Sequence, residues 1–144
     1  MDDLDKGDIY TVRDMGLAEN GALLVDWARA RMPVLAKLKE EAEQTKPLAG
    51  MRVAGCLHVT KETAVLIEAI RAAGADISWS GCNPLSTQDE VAAWLASEGY
   101  SVHAWHGQST EDFYWCIDKT LEFKPTLTLD DLSLIHISEP TRQL

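Results

Sequence analysis

Apolar positions along the chain follow one rhythm at first and a second one later. From residue 17 to 32, Leu23, Leu24, Trp27, Ala28 and Met32 recur at helical spacing. Pro33 suits the first turn of a second helix running to about Gln44, with Leu35 and Leu38 inward and a charged face outward. Residues 1–15 are polar and read as irregular, and residues 45–50 read as a connector ending in turn residues. From residue 52 the pattern alternates short apolar runs with helical stretches. Strands are predicted at 52–57, 76–80, 100–105 and 126–129. Helices are predicted from Thr60 to the stop at Gly74, from the 87–90 segment (TQDE, a capping-box pattern) to Gly99, and from Ser109 to about Phe123.

Strands that alternate with helices of about a dozen residues form right-handed crossovers and a parallel sheet. The fold class is therefore α/β, a Rossmann-like βα repeat preceded by two N-terminal helices. Residues 1–50 form the helical segment and 51–131 the repeat. Parallel strands deliver their carboxyl ends to one edge, where ligands bind in open α/β sheets. That edge collects His58, Thr60, Glu62, Cys82, Asn83, His106, Asp130 and Asp131.

Composition narrows the classes of partner. A net charge of −10 argues against a nucleic-acid or anionic-membrane surface. No apolar segment is long enough to span a bilayer, and the start has no signal-peptide pattern. Three widely separated cysteines make neither a disulfide frame nor a zinc motif, which fits a reducing cytoplasm.

Candidate chemistry follows from position. No glycine lies between Leu57 and Thr60, and Glu62 opens the helix, so a nucleotide pyrophosphate does not suit this turn. A neutral ligand bearing amine or amide donors suits it better, because an ionised Glu62 only accepts hydrogen bonds. His58 is a candidate general acid/base or a residue satisfying its own loop. Thr60 reads as an N-cap. Asp131 either pairs with His58 or acts as a base, or with Asp130 it caps a following helix. Cys82 lacks a basic neighbour that would make it a thiolate nucleophile. Cys56 and Cys116 read as core, His103 as structural, and Trp27, Trp79, Trp94 and Trp115 as core aromatics. His58, His106, Cys82 and the aspartates match no compact metal motif, so no metal is expected.

Residues 54–66 (AGCLHVTKETAVL), 82–89 (CNPLSTQD), 104–107 (AWHG) and 129–131 (LDD) together resemble the S-adenosyl-L-homocysteine hydrolase (adenosylhomocysteinase) family. Residues 14–19 (DMGLAE) and 32–35 (MPVL) extend the resemblance, which covers about 8–131 in order. It implies reversible, NAD-dependent cleavage of S-adenosyl-L-homocysteine into adenosine and L-homocysteine. Transient oxidation of the ribose 3′-hydroxyl acidifies the 4′ carbon, the thiol leaves, and water adds. By motif position, Thr60 and Glu62 would hold the adenine and Leu57 would line its pocket. His58 and Asp131 would lie near the 5′ carbon as catalytic residues. Cys82 and Asn83 would line the substrate cavity, with Ser86 and Gln88 shaping that loop. The family's NAD-binding domain and ribose-binding residues have no counterpart in these 144 residues, and residues 132–144 depart from its pattern as a non-native tail. The expectation is a truncated substrate domain, inactive alone, whose intact form is a homo-oligomer. The alternatives are a stand-alone adenosine-binding module or a non-catalytic regulator of the full-length enzyme. A sheet cut after its fourth repeat strand is expected to leave apolar faces uncovered and stability marginal.

Overall fold

A computed structural model describes residues 3–131. The segment 132–144, expected to be non-native, lies outside the described residues. The elements in chain order are β1 (Asp5–Lys6), β2 (Tyr10–Val12), α1 (Ala18–Ala30), α2 (Pro33–Thr45), β3 (Arg52–Cys56), α3 (Lys61–Ala72), β4 (Asp76–Ser80), α4 (Asp89–Ser97), β5 (Ser101–His103), α5 (Thr110–Leu121) and β6 (Leu127–Asp130). A short 3-10 turn, Met15–Leu17, leads into α1. The class is α/β, as the sequence pattern indicated.

The six strands form one sheet in the order β1-β2-β5-β4-β3-β6. All neighbours are parallel except β1 with β2. The four repeat strands thus run β5-β4-β3-β6, and the order reverses between β3 and β6. The first two crossovers step one way across the sheet and place α3 and α4 together, with α1 packed on both. The third crossover steps back past β3, and its helix α5 packs against β3, β4 and β5. Right-handed connections put helices of opposite step on opposite faces. The core divides accordingly. A large cluster holds Val53, Ile67, Trp79, Leu95 and Val102, and a smaller one joins Cys56 and Ile117.

Helix ends follow local chemistry. Thr60 caps α3, Glu62 stands in its first turn and Arg71 in its last, as the helix dipole favours. Ser109 accepts from the Asp112 amide at the start of α5. Gly21 lets α1 lie against α4, since a Cβ there would sit 2.0 Å from the Glu90 carbonyl oxygen.

Several expectations are corrected. Residues 1–15 are not wholly irregular, because β2 adds to β5 in parallel and buries Thr11 and Val12. The capping box at 87–90 does not form. Gln88 is the N-cap of α4, and the buried Thr87 hydroxyl has no hydrogen-bond partner among the described residues. Trp27 is no core residue; it lies 49% exposed under the Arg31 guanidinium, 3.7 Å from the ring centre. Leu23 and Leu38 are exposed, and with Trp27 and Val34 they leave an apolar outer surface on α1 and α2. Trp79 is buried as expected, while Trp94 and Trp115 are half-buried. Among the described residues no helix is long and apolar enough to cross a membrane.

Candidate functional site

Strand register builds the rim. Cys56, the last residue of β3, pairs with Ser80 of β4 on one side and Asp130 of β6 on the other. The three strands therefore end level. His58, Cys82 and Asp131 leave the sheet together at the point where strand order reverses, the position at which α/β sheets bind ligands.

The side chains converge. His58 Nε2 lies 4.0 Å from Asp131 Oδ2, with the two side chains 47% and 60% exposed. One ligand-type atom each from His58, Cys82 and Asp131 falls within a mutual 4.8 Å. His58 Nδ1 is 2.7 Å from Ser86 Oγ, and Ser86 Oγ also reaches the Asn83 carbonyl oxygen at 3.4 Å. A hydroxyl has one proton to give. Donation to Asn83 leaves Ser86 accepting from Nδ1–H, and Nε2 then has a proton to offer Asp131 only in the imidazolium form. His58 thus does not satisfy its own loop backbone. Asp131 faces His58 at 4.0 Å, and any helix it could cap lies outside the described residues.

Two loops are joined next to this pair. The Gln88 side-chain oxygen accepts from the Lys61 amide at 2.9 Å, and the Gln88 amide donates to the Val59 carbonyl. The first turn of α3 is thereby held by a residue of the next crossover. Thr60 Oγ1 accepts from the Thr63 amide at 3.5 Å. Glu62 is exposed and pairs with Lys61 Nζ at 3.2 Å. Burial pushes the Glu62 carboxyl up, but its own backbone amide, Lys61 and Thr60 outweigh burial and hold it below the ordinary value. Glu62 is therefore an ionised acceptor at neutral pH. Cys82 is driven the other way, by burial first and the Asp131 charge second. It stays a thiol, consistent with no nucleophilic role.

The remaining candidates are peripheral. Asn83 Oδ1 accepts from the Leu85 amide at 2.8 Å, so this side chain shapes its loop. Leu57 packs on the core, and its carbonyl accepts from Trp79 Nε1 at 3.3 Å. His106 is held through its backbone, to Asp89 at 2.9 Å and Arg13 at 2.7 Å. His103 is buried against Thr11 and is structural. Sequence reasoning passed over Lys61, whose ammonium both pairs with Glu62 and lies 5.3 Å from the Trp27 ring centre. Adjacent positions on a helix do not face each other, so no spacing signal marked that pair.

The family model described as S-adenosyl-L-homocysteine hydrolase matches residues 9–135. An adenosylhomocysteinase of Sulfolobus acidocaldarius is 46% identical over 127 residues, covering 88% of this chain and 31% of the relative. One from Aeropyrum pernix is 46% identical over 128 residues, 89% of this chain and 31% of the relative. An S-inosyl-L-homocysteine hydrolase of Methanopyrus kandleri is 46% identical over 135 residues, 91% of this chain and 32% of the relative. The chain spans about a third of the length of these relatives. With that match over most of its length, the chain belongs to the S-adenosyl-L-homocysteine hydrolase family.

Proposed function

We propose that the described rim is the purine and 5′-carbon half of the nucleoside site of a hydrolase that cleaves S-adenosyl-L-homocysteine into adenosine and L-homocysteine. The observation that carries this reading is the approach of His58 to Asp131 across the reversal of strand order. His58, oriented by Ser86, gives a proton to the departing thiolate at the 5′ carbon and takes one from the entering water. Asp131 stabilises the imidazolium present before the thiol leaves and again after water gives up its proton, and His58 is neutral between those steps. Such positioned proton transfer contributes roughly 10²–10⁴-fold in rate.

Thr60 and Glu62 take the purine edge, with Leu57 as an apolar wall. The ionised Glu62 favours an exocyclic amine, which donates, over an exocyclic oxygen, which would face a carboxylate. The site thus prefers adenosine to inosine, in contrast to what the name of the Methanopyrus kandleri relative indicates for that protein.

The family's nicotinamide cofactor does not fit the β3–α3 turn. Leu57, His58, Val59 and Thr60 supply no glycine for backbone approach to a pyrophosphate, and the ionised Glu62 repels one. No step is assigned to that cofactor on these residues. Alone, the 144-residue chain binds nucleoside without turnover. Titration calorimetry tests this, with adenosine expected to bind more tightly than inosine and Glu62→Gln to narrow the difference. Sustained homocysteine release by the isolated chain given S-adenosylhomocysteine and NAD would refute the inactivity. Inosine binding equal to adenosine would refute the purine assignment.

A further inference from the structure

We propose that His58, Cys82 and Asp131 form a binding site for a zinc-class divalent cation at the carboxyl rim of the sheet. One donor atom from each lies within 4.8 Å of the other two, and the His58–Asp131 separation is 4.0 Å. In a tetrahedral zinc site, metal bonds of about 2.0–2.3 Å set neighbouring donors about 3.3–3.7 Å apart. Closure from the observed positions brings donors up to 4.8 Å apart closer by about 1 Å, with His58 and Asp131 exposed and Cys82 half-buried.

The donor set selects the metal. A thiolate and an imidazole suit zinc or its cobalt analogue and are poor partners for magnesium or calcium, which take oxygen ligands. One thiolate, one carboxylate and a neutral imidazole balance a dipositive ion. The fourth position stays open, as in zinc sites that hold water or a small ligand. The hydrogen bond from Nδ1 to Ser86 is the outer contact that fixes the tautomer of a ligating histidine, presenting Nε2. On binding, the Cys82 S–H bond breaks, its proton passes to solvent, and sulfur donates its pair to the metal. No electron changes hands. The sequence pattern set these residues aside as ligands because no compact motif joins them; they follow three different strands, β3, β4 and β6.

The site shares residues with the proposed nucleoside pocket but rests on the geometry alone. The test titrates the reduced, metal-free 144-residue chain with cobalt(II) and then zinc(II). The expected result is one equivalent of cobalt with a thiolate-to-metal charge-transfer band, displaced by zinc. Cys82→Ser abolishes the band, while Cys116→Ser keeps it. Asp131 is exposed, so Asp131→Asn leaves the fold intact and weakens zinc at least tenfold. Ser86→Ala weakens zinc by about 10–100-fold, the usual effect of losing an outer contact. No cobalt complex, or a band unchanged in Cys82→Ser and affinity unchanged in Asp131→Asn, overturns the site. Adenosine uptake without a cobalt complex overturns the cation site and leaves the nucleoside reading standing. A cobalt complex in a chain that takes up no adenosine supports the cation site and overturns the nucleoside reading.

Discussion

Ser86 Oγ, in the loop after β4, stands 2.7 Å from His58 Nδ1, in the loop after β3. Because the same hydroxyl is directed at the Asn83 carbonyl, neutral His58 should carry its proton on Nδ1. Nitrogen chemical shifts of the ring report this directly. The Nδ1–H tautomer is expected to dominate, and Ser86→Ala to shift the population toward Nε2–H. An Nε2–H tautomer in the unsubstituted chain would contradict the proton route assigned to His58.

A buried carboxylate ties the N-terminal helices to the repeat. Glu68 of α3, 8% exposed, accepts from Arg29 of α1 through two nitrogens and pairs with Lys39 of α2 at 3.4 Å. Arg29→Ala strands that carboxylate with one weaker partner and should cost about 2–4 kcal/mol. Asp26, which also pairs with Arg29, is largely exposed. Asp26→Ala should therefore cost under about 0.5 kcal/mol. Chemical denaturation of the two variants checks the ranking, and equal losses would contradict it.

Close packing under the rim sets a third expectation. A Cβ at Gly55 would lie 2.2 Å from the ring of Trp79, which is 1% exposed. Gly55→Ala forces that indole to move and should cost about 1–3 kcal/mol. The same movement strains the Trp79 hydrogen bond to the Leu57 carbonyl, one residue before His58. Lower thermal stability with altered tryptophan fluorescence is expected. An unchanged melt would show that the strand has room the structure does not give it.

His103 predicts a pH dependence. Burial first, and Lys119 second, push its pKa down from 6.5 to about 4. Between those values the unfolded chain binds a proton that the folded chain refuses, so stability rises with pH there. The contribution is nil above about pH 7 and grows to a loss of up to about 3 kcal/mol near pH 4. Denaturation midpoints across this range should fall more steeply for the parent chain than for His103→Asn. Parallel curves would contradict the assignment.

Much of this was legible in the chain because the repeat is strongly periodic. The strand at 76–80 and the caps at Thr60 and Ser109 stand where local signals put them. Parallel crossovers then dictated that His58, Cys82 and Asp131 share an edge. Their mutual distances were not legible, since register between β3, β4 and β6 is a tertiary property. The strand at Tyr10–Val12 escaped notice because three residues carry too little alternation, and their partner β5 is remote in sequence. Thr87 looked like a cap by spacing. The Gln88 amide instead bonds the Val59 carbonyl, which moves the helix start one residue on. Leu23, Trp27 and Leu38 follow a helical period yet stay exposed, so periodicity marked an apolar face without showing whether the described residues cover it. The roles of Thr60, Glu62 and Asp131 in holding a nucleoside came from motif resemblance, not from pattern.

The most direct test is an amide chemical-shift titration of the 144-residue chain with adenosine. The predicted result is saturable shifts concentrated at Leu57 to Glu62, Cys82 to Gln88 and Asp131, lost in Glu62→Ala. Shifts absent at millimolar adenosine, or gathered around His103 and Trp115 on the other part of the sheet, would contradict a nucleoside site at the rim.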